Sequence, residues 1–253
     1  MLSKNQLKEI QSLQLKKQRD LKKLFIAEGV KTVVEILTHI PGSIHHVYGT
    51  RVFASTHKDL LEKTNTNFTE ISEEELVKIS LQANPNQVFA VCNYFPQATV
   101  SYNPSVDFSF YLDDIRDPGN LGTIIRLADW FGLKTIFCSP DTCDLYNPKV
   151  IQSTMGSFLR VNVVYTELNK LVASLKIKTI YGAVLEGKNI YHEKLEPGLI
   201  LIGNEANGIR PENMSRLTKH LTIPKHVQSG TESLNAAVAT SIIASEFYRQ
   251  LKA

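Results

Sequence analysis

The chain has 253 residues, of which 43% are hydrophobic and 21% charged, with a formal net charge of +3; this suits one large or two small globular units with real cores. No apolar run reaches the roughly 18–20 residues that span a bilayer, and the N-terminal MLSKNQLKEIQSLQLKKQRD alternates charge with Leu and Ile instead of forming the apolar core of a signal peptide. Three cysteines, Cys92, Cys138 and Cys143, are odd in number and thinly spread, which argues against a disulfide framework and for a reducing cytoplasm.

Leu7, Ile10, Leu13, Leu21 and Leu24 recur at helix-compatible spacings, and Lys16, Lys17, Arg19, Lys22 and Lys23 cluster in the same stretch. The small positive balance permits an anionic partner without demanding one, so a solvated helix face competes with an RNA-backbone contact for this cluster. FIAEGVKTVVEILTH (25–39) predicts a helix that stops before Pro41-Gly42. HHVYGTRVF (45–53) and QVFAVCNYF (87–95) predict strands, and Ser72 before Glu73, Glu74 and Glu75 predicts an N-cap with an acidic first turn. His45, His46 and His57 fit no metal motif on one helical face, and Cys138 and Cys143 form a lone C-x4-C, so no metal site is expected. The polar segment ATVSYNPSVD (98–107), with Pro104, predicts a boundary between domains 1–105 and 106–253.

Beyond it the texture alternates strand and helix. FSFYLDD, KTIFCS, KTIYGAVL, GLILIGNE and HLTIP predict strands, residues 121–131 a helix ended by Gly132, and 231–253 a long closing helix. This pattern implies a mainly parallel α/β sheet with helices on both faces. Three of its strand ends carry polar residues suited to chemistry. In LDDIRDPGNLGTIIRLADWFG (112–132), Asn120 reads as the N-cap and Arg126 lies six residues on, projecting about 120° away around the helix. Both can border the strand's carboxyl end, where open α/β sheets bind ligands. In LILIGNEANGI (199–209), an apolar strand runs into Gly203-Asn204-Glu205. Glycine there allows close backbone approach, and Glu205 can accept amide bonds or fix an arginine. In LTIPKHVQSGTESLNAAVATSIIASEF (221–247), Ile223-Pro224 ends a strand and Ser233-Leu234-Asn235 opens the last helix. Capping explains one of Ser233 and Asn235, but does not easily explain both.

Asn120 and Arg126, then Gly203, Asn204 and Glu205, then Ile223-Pro224 with Ser233-Leu234-Asn235, in this order, resemble the SpoU (TrmH-like) branch of the SPOUT RNA methyltransferases. The resemblance covers residues from about 107 to the end, and STMGSFLRV (153–161) adds a family-like element whose Ser157 departs from the alanine expected after glycine. KQRDLKKLFIAEGVKTVVEIL (17–37) resembles the substrate-binding domain that often precedes the catalytic one. The resemblance implies a parallel sheet with a C-terminal trefoil knot, preceded by a small α+β domain. It implies a homodimer that moves a methyl group from S-adenosylmethionine to a ribose 2'-hydroxyl. Carried over by position, Gly203, Asn204, Ile223 and Leu234 hold the cofactor, Gly203 and Ile223 mainly through backbone. Arg126 is the catalytic arginine, with Asn120, Glu205, Ser233 and Asn235 orienting it and the ribose. Guanidinium stays protonated, so Arg126 is expected to stabilise alkoxide charge or orient a phosphate and not to act as a base.

The N-terminal domain favours ribosomal RNA over transfer RNA as substrate, and a transfer-RNA enzyme is the alternative. The G-x-G-x-x-G turn of Rossmann-type enzymes is absent. A non-catalytic RNA-binding protein retaining the fold is a further alternative, against which the intact polar sets argue.

Overall fold

The computed structural model describes residues 2–96 and 99–252. By its internal contacts the chain forms two units, 1–98 with 144–159, and 99–143 with 160–253.

The first unit is built on a mixed sheet of β1 (Leu24–Glu28), β2 (Ile44–Gly49), β3 (Phe68–Glu70) and β4 (Val88–Asn93), in the order β1-β4-β2-β3. β4 is antiparallel to both neighbours, and β2 and β3 are parallel. Ile10, Leu13, Ile26, Leu76, Ile79 and Phe89 share one buried cluster. Each such side chain removed from water contributes roughly 1.5–3 kcal/mol before entropy is counted. The expected helix over 25–39 is a strand followed by a helix. Phe25, Ile26 and Ala27 are buried together in β1, and Gly29, at φ +89°, turns the chain into the helix Val30–His39. Residues 45–53 also divide: β2 ends at Gly49, and Thr50 caps a helix over Arg51–Thr56. Leu21 is no core residue. The first helix ends at Ser12, a second starts at Lys16, and Leu21 is left 74% exposed. Ser72 caps Glu73–Ile79, as its sequence predicts, and forms a full capping box with Glu75 besides.

The stretch 144–159 packs with this unit although it lies well past the expected boundary. Its helix Pro148–Thr154 lies against β1, burying Val150 and Ile151, and Tyr146 meets Phe25 at 4.9 Å between ring centroids.

The second unit holds six parallel strands: β5 (Phe108–Asp113), β6 (Thr135–Cys138), β7 (Asn162–Tyr165), β8 (Ile180–Asn189), β9 (Gly198–Gly203) and β10 (Lys219–Thr222). Their order is β10-β8-β9-β5-β6-β7. β5 is buried throughout and β9 up to its last residue, as strands covered on both faces are. The α/β class and the parallel sheet are as the sequence predicts. The closing helix starts later than expected, spanning Ala236–Leu251. Cys92, Cys138 and Cys143 are in no disulfide; the first two are buried and Cys143 is half-buried. Among the described residues no helix is long and apolar enough to cross a membrane, and no His/Cys/Asp/Glu group of three is placed to hold a metal.

Candidate active site

From β5 the chain builds β6 and β7 on one side, then returns to place β9, β8 and β10 on the other. The strand order therefore reverses between β5 and β9, and the crevice at the carboxyl ends of such strands is where parallel sheets receive ligands. Asp113 ends β5 opposite Gly203, the last residue of β9.

The helix Pro118–Trp130 leaves β5. Its N-cap is Asp117, not Asn120: the Asp117 carboxylate accepts the Asn120 backbone N–H at 2.8 Å, and Pro118 takes the first helical position. The Asn120 side chain is thereby free for other bonds. Its Nδ2 donates to Glu205 Oε1, and its Oδ1 accepts from Asn235 Nδ2 at 2.9 Å. Asn235 caps the closing helix as well, its Oδ1 accepting the N–H groups of Ala237 and Val238 at 3.0 and 3.3 Å. Three residues from three separate segments thus form one hydrogen-bonded chain.

Glu205 rides on a tight turn. Asn204 and Gly208 exchange backbone hydrogen bonds of 3.0 and 2.8 Å, and Gly208 adopts φ +67°. A Cβ on Gly203 would overlap the Gly208 and Ile209 backbone, so only glycine fits there. Asn204 builds this turn with its side chain, which accepts the N–H groups of Ala206 and Asn207 and donates to the Asp114 carbonyl at 2.8 Å. Its side-chain oxygen and amide are thus engaged in holding the turn that presents Gly203.

A second pair fixes the turn to β5. Asp113 is fully buried and accepts the Arg210 backbone N–H at 2.9 Å and Nε at 2.6 Å; Arg210 Nη1 reaches Asp141 at 3.0 Å. Burial alone pulls the Arg210 guanidinium down, but the hydrogen bond and charge of Asp113 outweigh it and hold it above its ordinary value. Sequence reasoning missed this pair. Its signal was a double aspartate closing an apolar strand, since a buried carboxylate needs a cationic or amide partner.

The remaining expected residues are less engaged. Arg126 is exposed on the first helix of this unit and makes no hydrogen bond or ion pair among the described residues. Ser233 and Leu234 are exposed in the loop before the closing helix, and Ile223 is half-buried after β10. In the first unit, Arg19, expected within the RNA-facing basic cluster, is turned inward. It is 2% exposed, donates to the Leu13 and Gln14 carbonyls, and pairs with Asp144 at 2.6 Å. Lys22 pairs with Glu9 at 2.9 Å, and Lys23 sits 5.6 Å from the Tyr94 ring centre. Lys16 and Lys17 stay exposed and make no ion pair among the described residues.

Residues 107–245 match the SpoU rRNA Methylase family model, and residues 4–90 match the MRM3-like substrate binding domain. The chain is 31% identical to the 23S rRNA (guanosine(2553)-2'-O)-methyltransferase RlmP of Bacillus subtilis, covering 95% of both chains. A solved structure described as a TrmH-family RNA methyltransferase from Porphyromonas gingivalis is 33% identical, with a TM-score of 0.83 over 99% of both chains. The AdoMet-bound rRNA methyltransferase from Sinorhizobium meliloti is 26% identical, with a TM-score of 0.86 over 100% of this chain and 97% of that one.

Proposed function

Since the chain belongs to the SpoU rRNA methylase family, we propose that it transfers a methyl group from S-adenosylmethionine to a ribose 2'-hydroxyl of ribosomal RNA. The observation that carries this reading is the Glu205–Asn120–Asn235 chain beside the point where the strand order reverses.

The loops there suit the cofactor. Leu234 stays exposed and Ile223 half-exposed, and the backbone N–H groups of both donate to nothing among the described residues. Apolar walls beside unspent backbone donors fit an adenine. Gly203, Ile223 and Leu234 would hold the group, with Asn204 shaping the turn that presents Gly203. When bound, S-adenosylmethionine supplies an electrophilic methyl on a sulfonium. The chain's residues must then lower the cost of charge on the attacking ribose oxygen. Arg126 stays cationic, so it serves as a charge stabiliser for that oxygen or an anchor for the adjacent phosphate. Asn120 and Asn235, braced by Glu205, orient the ribose and Arg126, and Ser233 adds a hydroxyl beside them.

The first unit serves as the RNA-binding domain, with Lys16 and Lys17 contacting the backbone, in keeping with its match to a substrate-binding domain. Two chains pair through the helices Pro118–Trp130 and Ala236–Leu251, which pack on each other and leave Trp130 84% exposed at one end of the pair, with Val238 and Tyr248 also open to solvent. The trefoil knot is carried over from the family to which the chain belongs. Cysteines in no disulfide fit a cytoplasmic site of action.

The test is methyl transfer from labelled S-adenosylmethionine to ribosomal RNA from cells lacking the protein, with ribose methylation mapped. One modified ribose is expected. Label on a base, or on transfer RNA alone, overturns the reading.

A further inference from the structure

The first unit contains a cavity of about 400 Å³, within the range of small-ligand sites, between the end of β1 and the helix Pro148–Thr154. Ile26, Leu81 and Pro148 give it apolar walls. Glu28 opens into it from the end of β1. Its carboxylate accepts from the Ser80 hydroxyl and from the Leu81 N–H at 3.0 Å, one bond to each oxygen, so each oxygen keeps a lone pair to offer. Gln14, Gln82 and Gln152 also line the cavity, and their side-chain amides bond to nothing among the described residues. Lys16 and Lys17 follow Gln14 closely along the chain.

We propose that this cavity is a base-reading pocket that accepts an unstacked guanine of the substrate RNA, with Glu28 taking its N1–H and N2–H groups. The proposal rests on the RNA-substrate reading above and adds a specificity site to it. Lys149 also lines the cavity, but the Glu28 carboxylate repels phosphate, which favours a base over the RNA backbone there. Guanine presents two adjacent donors on one edge, which match the two oxygens of a carboxylate. Adenine and uracil each place an acceptor lone pair where Glu28 would sit, and cytosine offers a single amino group. The glutamine amides can donate to guanine O6 and N7, while Ile26, Leu81 and Pro148 cover the ring faces. Burial, the largest influence on Glu28, pushes its carboxyl above the ordinary value, although the Ser80 and Leu81 bonds oppose this. Its charge therefore lacks a full set of donors, and a ligand with two N–H groups would supply them. Single-stranded RNA is read in this manner, by splayed bases bonded along their edges.

The test uses the full chain and a short single-stranded oligouridylate with one central guanosine, compared with strands carrying inosine, adenosine or cytidine there. Binding is followed by fluorescence anisotropy at fixed salt. The guanosine strand should bind roughly 10-fold tighter than the inosine strand, which lacks the N2 amino group, and tighter than the other two. Glu28→Gln should erase that preference, so that the guanosine and inosine strands bind alike. Gln82→Ala, which touches no internal bond of its side chain, should weaken the preference if Glu28→Gln proves unstable. Equal binding of all strands, or a preference that survives both substitutions, overturns the pocket and leaves the RNA reading standing. No binding of any strand overturns both.

Discussion

The Asn235 side chain serves two ends at once: its Oδ1 caps the closing helix, and its Nδ2 donates to Asn120 Oδ1 at 2.9 Å. These roles separate by substitution. Aspartate caps as well as asparagine, so Asn235→Asp keeps helix stability but sets a carboxylate against the Asn120 oxygen, close to Glu205. We expect an unchanged melting temperature and a fall in turnover of at least 10-fold, with S-adenosylmethionine affinity less affected. Asn235→Ala should lose turnover and about 1 kcal/mol of stability. Full turnover in the aspartate variant removes the Asn120 bridge from the mechanism.

Arg126 makes no hydrogen bond or ion pair among the described residues, so its replacement should cost little stability. If its planar guanidinium spans the ribose oxygen and a phosphate, Arg126→Lys should lower kcat by about 100-fold, in the range seen when a charge-stabilising donor is removed. Thermal denaturation and single-turnover methylation measure the two effects. Near-full turnover in the lysine variant defeats the role given to the guanidinium.

Elements with strong local signals could be read from the chain. β5 and β9 are apolar runs closed by Asp and Gly, and Ser72 announces its N-cap ahead of Glu73, Glu74 and Glu75. Phe25-Ile26-Ala27 was ambiguous because a short apolar run suits a buried strand or a helix alike, and the burial that decides it comes from β4 and the stretch 144–159. Asn120 and Asn235 were found as polar residues at element starts, but their bond spans 115 residues and nothing local predicts it. Arg19 shows the same limit. Its charge suggested solvent, while Asp144, 125 residues away, makes burial possible.

Asp113 and Arg210 should couple in stability. Removing one partner of a pair whose carboxylate is fully buried leaves a charge or a donor unmet, typically about 3–5 kcal/mol. Asp113→Ala should show most of that loss in urea unfolding, reduced where Arg210 reaches solvent and Asp141 instead. Asp113→Ala with Arg210→Met should cost less than the sum of the single changes. Strict additivity means that the pair does not fasten the Glu205 turn to β5.

Trp130 is an exposed aromatic on a helix that carries Asn120 and Arg126. If two chains meet on this face, Trp130→Glu places a charge in an apolar interface. Light scattering should then report a monomer, and methylation should fall with it while the melting curve keeps one transition. A wild-type chain that already runs as a monomer places Trp130 outside any chain–chain contact.

The two halves of the N-terminal basic cluster should separate in their response to salt. Lys16 and Lys17 are exposed and make no ion pair among the described residues, so the double substitution Lys16→Glu and Lys17→Glu should flatten the dependence of log K on log salt by about two phosphate contacts or more. Arg19 is buried against Asp144, so Arg19→Met should leave that slope unchanged. It should instead cost stability, about 3–5 kcal/mol, because Asp144 and the Leu13 and Gln14 carbonyls lose the bonds from its guanidinium. Anisotropy titrations across a salt series and urea melts of the same samples make the comparison. A slope that responds to Arg19 and ignores the lysines would mean that the buried ion pair opens when RNA binds.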